Sequence, residues 1–374
     1  MINLKTEENC CGCSACSAVC PTSAIVMKPD ELGFLYPTID PALCVECGRC
    51  ENVCEFSKNN IESLKDVHPT AYAARHVNIQ EVNTSRSGAC FVALSDYILD
   101  EGGVVYGVGF KENFVVTHKR AINKLQRQEF KGSKYVQSDM RDILPYLKED
   151  IISGKYVCFS GTPCQVAAVR SLVPSKYHHK LFLIDIVCHG VASPEVWQSY
   201  LAYIERRYRG KIESLNFRDK IRFGWKDHRE TFVVNGKSRS LKKVFYQDIY
   251  LRPSCSSCPF TNLNRPSDIT IADFWGIENV APEYNHDGKG CNLLIVNTRK
   301  GHDWLENVAK NLDIKEVDIR DSLQYNLQYS TKRHPQSSNF VRDYNNQGFE
   351  YAMKHYCGWG IKNYVIAKMR RILK

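Results

Sequence analysis

Apolar positions recur along this chain with two different periods, and the alternation between them marks out most of its elements. Ala24-Ile25-Val26-Met27-Lys28 and Phe34-Leu35-Tyr36 flank the turn residues Pro29 to Gly33, which predicts a short hairpin. The stretch from Glu55 to Pro69 is polar and closes on His68-Pro69, so it reads as a connector. Beyond Ala71, runs with strand and helix periods alternate. Gly88 opens a helical pattern through Phe91, Val92, Leu94, Ile98 and Leu99, and Gly102-Gly103 closes it. Strands are predicted over Val104–Phe110 and Phe114–His118, and a helix over Asp139–Ile152 despite Pro145. Two strand-to-helix units follow, Tyr156–Phe159 into Gln165–Leu172 and Leu181–Val187 into Pro194–Tyr208. Further strands are expected over Phe232–Val234, Asp268–Ala272 and Leu293–Asn297. The alternation predicts an α/β unit with a mixed sheet.

Composition narrows the class. Of 374 residues, 43% are hydrophobic and 24% charged, which excludes a disordered or collagen-like chain and allows sizeable cores. The apolar run Leu181-Phe182-Leu183-Ile184 meets Asp185 too soon to span a bilayer. The first eight residues, Met1 to Glu8, lack the apolar core of a secretion signal, so a cytoplasmic, reducing location is expected. There the 17 cysteines, an odd number, read as ligands or reactive thiols and not as a disulfide framework.

Nine of those cysteines fall within the first 54 residues, and eight repeat one pattern. Cys10, Cys13, Cys16 and Cys20-Pro21 are followed by Cys44, Cys47, Cys50 and Cys54 at the same gaps. Two-residue gaps wrap three thiolates around one face of an iron–sulfur cube, and the fourth cysteine reaches the other cluster. One 4Fe-4S cluster then takes Cys10, Cys13, Cys16 and Cys54, and the other takes Cys44, Cys47, Cys50 and Cys20. This is the layout of a bacterial-type two-cluster ferredoxin fold. Structural zinc is the competitor, but zinc sites pair two Cys-x2-Cys hairpins instead of running three cysteines together. Glu55 stands where a proline usually follows the last ligand, which alters the turn and not the ligand count. Cys11 falls outside the repeat and reads as a packing residue.

Four later cysteines form a second constellation. Cys164 and Cys188 lie at the exits of successive predicted strands, where open α/β sheets bind their ligands. Cys255 and Cys258 add a Cys-x2-Cys pair before Pro259. Spacing leaves a third four-iron cluster, a zinc site and a redox couple all open. Cys90, Cys158, Cys291 and Cys357 have no ligand spacing and read as buried apolar residues.

Eight motifs in order resemble the coenzyme F-420 hydrogenase/dehydrogenase beta-subunit family. They are Ser87-Gly88, Gly102 to Gly107, Gly132 to Gln137, Ser160 to Gln165, Cys188-His189-Gly190, Phe217 to Lys220, Arg252 to Cys255 and Asp268 to Gly276. The resemblance implies an FAD-binding oxidoreductase domain whose own 4Fe-4S cluster is held by Cys164, Cys188, Cys255 and Cys258. It also implies FAD contacts at Ser87, Gly88, Lys134, Gly161 and Thr162. Ala89 replaces a second glycine of many relatives, and its methyl group would narrow the backbone's approach to the flavin phosphates.

The residues themselves support such a site more weakly. Ser87-Gly88 before a helix suits phosphate but equally an ordinary N-cap. Lys134 suits a phosphate or solvent, and Gly161-Thr162 a close approach or a tight turn. Asp273 and Trp275 at a strand end suit a ring system or a core. His189 is the candidate catalytic group, a proton carrier beside Cys188, although such a histidine often only hydrogen-bonds backbone.

The expected organisation is a ferredoxin domain over 1–58, a linker over 59–69, an FAD-binding oxidoreductase domain with a third 4Fe-4S site over 70–330, and a basic helical extension over 331–374. The expected function is an iron–sulfur flavoprotein. It moves electrons between the clusters and FAD to reduce an organic substrate, including a sugar intermediate of cell-surface polysaccharide. Oxidation of a deazaflavin (coenzyme F-420) or service as an electron-transfer subunit are the alternatives. A ferredoxin-like redox partner protein and a small-molecule substrate are its expected partners.

Charge looks basic at first, since 50 Lys and Arg against 41 Asp and Glu give +9. Residues 351–374 carry six of those cations and no acid, leaving +3 on the rest. Twelve thiolates, three oxidised cores and one FAD would bring that body to about −5. Nucleic acid is therefore not an expected partner. From Ile361, Val365, Met369 and Ile372 recur near helical spacing. A terminal helix packed on the domain is expected in preference to one lying on a membrane surface.

Overall fold

The computed structural model describes residues 7–56, 67–241 and 247–359. The basic segment from Ile361, where the sequence predicts a terminal helix, lies outside the described residues, as does most of the connector. Strands β1 (Ile25–Pro29) and β2 (Leu35–Ile39) form the N-terminal antiparallel hairpin, Ile25 opposite Ile39. The other strands are β3 (Thr70–His76), β4 (Val104–Phe110), β5 (Val116–Ala121), β6 (Val157–Gly161), β7 (Leu181–Ile186), β8 (Ile212–Asn216), β9 (Thr231–Val234), β10 (Lys237–Arg239), β11 (Ile269–Asp273), β12 (Asn292–Val296) and β13 (Leu312–Val317). Eight of them make one mixed sheet in the order β13-β3-β12-β11-β7-β6-β4-β5. Its four central strands β11, β7, β6 and β4 run parallel, and the flanking pairs are antiparallel. Strands β8, β9 and β10 make a small separate sheet.

Side chains alternate across the central strands, and helices cover both faces, as parallel strands require. Val157 and Phe159 of β6 join Val104, Tyr106 and Leu183 against the helices Ile143–Ile152 and Pro163–Leu172. Cys158, between them, faces the opposite way with Ile184 and Val296, against Leu94, Ile98 and Trp304 of the helices Cys90–Asp100 and Arg299–Val308.

The N-terminal unit is packed into these layers. Ala15, Cys16, Ile25, Met27 and Val53 share the core of the helices Ile143–Ile152 and Pro163–Leu172. Leu32 and Phe34, at the hairpin turn, enter a second core with Val196, Trp197 and Tyr200 of the helix Pro194–Tyr208. The helix Ser337–Tyr356 closes that core with Phe340, Tyr344 and Met353.

Two elements begin later than the apolar pattern predicts. The strand expected from Phe114 starts at Val116, because Asn113 and Phe114 take left-handed backbone (φ 55° and 53°) and turn the chain. The helix expected from Asp139 starts at Ile143. Asp139 instead exchanges backbone hydrogen bonds with Val116 and His118 at the sheet edge. Pro145 then falls in the first helical turn, where a missing N–H costs nothing.

Candidate metal centres

The two cysteine repeats share a backbone device. In the first, the residues on either side of Cys13, Gly12 and Ser14, are left-handed (φ 69° and 64°). In the second, those on either side of Cys47, Glu46 and Gly48, are too (φ 50° and 71°). Successive turns of this kind aim backbone N–H groups inward, and the Gly12 N–H points at the Cys10 sulfur at 3.4 Å. Each repeat then enters one helical turn, Ala15–Ala18 and Arg49–Asn52, that carries its third cysteine.

The thiols gather in the crossed arrangement. Cys16 is pushed up by burial and then by the neighbouring Cys13, Cys10 and Cys54, so these four share one field. Cys20 lines a single cavity with Cys44, Cys47 and Cys50. Cys16 is buried and Cys47 exposed, while the other six are half-buried, so the second set comes nearer the surface than the first.

The later cysteines meet at the carboxyl ends of β6 and β7, which are parallel neighbours. Cys164 follows β6 in the first turn of the helix Pro163–Leu172, and Cys188 follows β7 two residues beyond its end. The short helix Pro253–Ser257 brings Cys255, with Cys258 just after it. Cys188 is raised well above the usual thiol range by burial and then by Cys255, Cys164 and Cys258, so all four are neighbours. Each of the three sets supplies four thiols, the donor number of a 4Fe-4S cluster. Among the described residues no three His, Cys, Asp or Glu side chains converge as tightly as a single metal ion needs.

Cys164, Cys188, Cys255 and Cys258 line one cavity, the third cavity, and His189 lines it with them. Its Nε2 lies 2.8 Å from Asp248 Oδ1, and its Nδ1 lies 3.2 Å from the Thr331 hydroxyl and 3.3 Å from Asn326 Oδ1.

The residues expected at FAD have internal partners. The Ser87 hydroxyl donates to the Cys291 carbonyl at 2.6 Å. Gly88 is a glycine because a Cβ there would meet the Ala74 carbonyl at 2.4 Å, so it serves helix-to-strand packing. The Lys134 ammonium donates to the carbonyls of Glu129 and Lys131, and burial pulls its pKa down to about 7. The Thr162 N–H is received by the Gln165 side chain at 3.1 Å, and the Thr162 hydroxyl approaches Cys164 Sγ at 3.2 Å. At Gly161 a Cβ would stand 3.1 Å from Gln165 Oε1.

A cluster of stacked side chains lies at the exit of β11. Trp275, 38% exposed, stacks on buried Trp225 (centroids 4.8 Å apart) and on His228 (5.6 Å). The Arg218 guanidinium sits 5.2 Å from the Trp275 ring and is anchored by Asp273 at 2.5 Å and the Tyr135 hydroxyl at 3.0 Å.

Comparison with known proteins finds similarity in two segments of the chain. Residues 9–58 match the model of the 4Fe-4S dicluster domain. Residues 154–322 match that of the C terminus of the coenzyme F420 hydrogenase/dehydrogenase beta subunit. The chain is thus similar to a 4Fe-4S dicluster domain over its first matched segment and to this beta-subunit region over its second. It is 22% identical to the F subunit of the F(420)H(2) dehydrogenase of Methanosarcina mazei over 323 residues, 83% of this chain and 85% of the relative. It is 26% identical to an uncharacterized protein of Methanocaldococcus jannaschii over 204 residues, 46% of this chain and 56% of that one. Among solved structures, a chain of the F420-reducing [NiFe] hydrogenase complex from Methanosarcina barkeri aligns with 16% identity and a TM-score of 0.48. That alignment covers 78% of this chain and 94% of the other.

Where the dicluster domain meets the beta-subunit region, four residues stand between the first and third thiol sets. Cys11 is buried and lines the third cavity with Phe56 and Arg252. Hydrogen bonds with Cys13 and Cys164, and then burial, raise its thiol well above the usual range. Gln137 donates to the Cys11 carbonyl at 2.8 Å. Phe56 packs against Phe260, 6.1 Å between centroids. Sequence reasoning assigns none of these a role at the site, although Arg252 and Gln137 both fall inside motifs that carry the family resemblance. What hid them is that each acts on a loop remote from it in sequence.

Proposed function

We propose that this chain is an electron-transfer protein holding three 4Fe-4S clusters. The eight ferredoxin cysteines would hold two, and Cys164, Cys188, Cys255 and Cys258 the third. One observation carries the reading: Cys188 sits among the other three thiols, and Cys11 contacts both that set and the first ferredoxin set. A 4Fe-4S cluster supplies one-electron exchange, with its potential set by burial and by hydrogen bonds to sulfur. The chain supplies the surroundings. Val45, 62% exposed, and Cys47 leave the second ferredoxin set open to a redox partner protein. Burial of Cys11 and Cys16 keeps water from the first set. The Thr162 hydroxyl lies 3.2 Å from Cys164 Sγ. A Cys188→Ser change in protein purified without oxygen should remove about four irons and leave the ferredoxin signal. Unchanged iron would refute the third set.

A second reading, favoured by the partial exposure of Trp275 within this aromatic cluster, adds FAD and an organic substrate at the exit of β11. The substrate would be a sugar intermediate of cell-surface polysaccharide or a deazaflavin (coenzyme F-420). Acid extraction of wild-type and Trp275→Ala protein tests this directly. The reading expects about one FAD per wild-type chain and less in the variant. A flavin-free wild-type protein would end it, and a flavin content that ignores the substitution would end the Trp275 placement.

A further inference from the structure

Five arginines are buried among the described residues, and four of them have a carboxylate partner. Arg75 pairs with Asp287, Arg127 with Asp96, Arg218 with Asp273 and Arg265 with Asp185. Arg252, 1% exposed, differs. Its Nε donates to the Cys10 carbonyl at 2.7 Å, one Nη to Gln137 Oε1 at 2.9 Å and the other to the Leu35 carbonyl at 2.9 Å. Its guanidinium lies 4.4 Å from the Tyr36 ring centroid. Asp30 lies within range of its charge, but its carboxylate hydrogen-bonds are to the Leu32 and Phe34 N–H groups at the hairpin turn.

Among the described residues no carboxylate pairs directly with this buried cation, a costly state that further anionic groups nearby would offset. Besides Asp30 and Tyr36, the groups within range of its charge include thiols, Cys10 and Cys13 of the first set and Cys164 and Cys255 of the third. It also joins the two loops mechanically. It precedes Cys255 by three residues, grips the carbonyl of Cys10, and shares Gln137 with the carbonyl of Cys11. Gly12 packs onto it so closely that a Cβ would stand 2.7 Å from its Nη.

We propose that Arg252 is a positioning residue that locks the first ferredoxin cysteine loop to the third cysteine set, with its cation balancing the anionic clusters of both. The first cluster, not the second, is then the exchange partner of the third. The electron order runs from the surface set of Cys20, Cys44, Cys47 and Cys50, through the set of Cys10, Cys13, Cys16 and Cys54, to the set of Cys164, Cys188, Cys255 and Cys258. This rests on the three-cluster reading, which the iron content of the wild-type chain tests by itself. A nearby cation favours the more negative, reduced state, so its loss lowers a cluster's potential, and burial leaves the effect little screened.

The experiment is a redox titration followed by electron paramagnetic resonance on the full chain, wild type, R252Q and R252K, purified without oxygen, with iron measured on each. In R252Q two of the three midpoints should fall by about a tenfold change in reduction equilibrium, ~59 mV for one electron. The third midpoint stays, and R252K recovers most of the loss. If R252Q sheds iron, the account requires about eight irons to go with the surface cluster's signal intact. Unchanged midpoints with full iron, equal shifts at all three clusters, or loss of all iron would each overturn it.

Discussion

Gly12 shows how much a single residue carries. It sits at φ +69° between two cysteines of one ligand loop, with Arg252 Nη 2.7 Å and Gln137 Nε2 2.9 Å from where a Cβ would stand. Gly12→Ala therefore meets both backbone strain and a clash and should cost about 1–3 kcal/mol. Thermal melts should show the loss, and iron analysis should show it falling first on the set of Cys10, Cys13, Cys16 and Cys54. His118 makes a different prediction. Its buried ring stacks on Phe159 at 4.9 Å, and desolvation holds its pKa down to about 4. The folded state thus resists protonation that the unfolded chain accepts from about pH 6.5. Its stabilisation is complete above about 6.5 and is lost as pH falls toward 4, on the order of 3 kcal/mol. His228, also held to about 4 by burial and then by Arg218, adds to the same window. Urea unfolding between pH 7 and pH 4.5 should show this slope, and His118→Gln should flatten it; an unaltered slope would remove His118 from the account.

Among the elements, the hairpin β1–β2 does most to join the two halves. Phe34 is fully buried at its turn, among Trp197 and Tyr200 of the beta-subunit region. Phe34→Ala should cost about 3–5 kcal/mol and loosen the seat of Arg252, which lies 5.3 Å from the Phe34 ring. Equilibrium unfolding measures the first effect and the cluster midpoints the second. This hairpin was legible in the sequence, because a Pro-to-Gly turn between two apolar runs leaves few alternatives. The helices Cys90–Asp100 and Pro194–Tyr208 were legible for similar reasons, closing glycines in one and an opening Ser193-Pro194 in the other. The helix Arg299–Val308 was not, and Ser337–Tyr356 was legible only as part of a longer helical extension over 331–374. Charged and amide residues dilute their apolar stripes, and they are stabilised by partners far away in sequence, such as Leu94 for Trp304 and Tyr200 for Phe349. The site divides in the same way. The cysteine repeats announce themselves because their spacing is local, whereas Cys11, Gln137 and Arg252 gain meaning only once β6, β7 and the hairpin are assembled.

At the scale of the whole molecule, the dicluster domain is built into the larger α/β layers. It shares apolar cores with two sets of helices, and Arg252 and Gln137 cross the boundary. Loss of cluster absorbance and loss of helical circular dichroism should therefore coincide in an anaerobic denaturant titration, and an early, separate loss of iron from the ferredoxin sets would contradict this packing. Among the described residues, no helix is long and apolar enough to cross a membrane. The central claim is that twelve cysteines in three sets of four hold three clusters in one path. Iron and acid-labile sulfide per chain, measured on the full-length protein purified without oxygen, test it most directly. The account predicts about twelve of each; about eight of each, or zinc in place of iron at the third set, would contradict it.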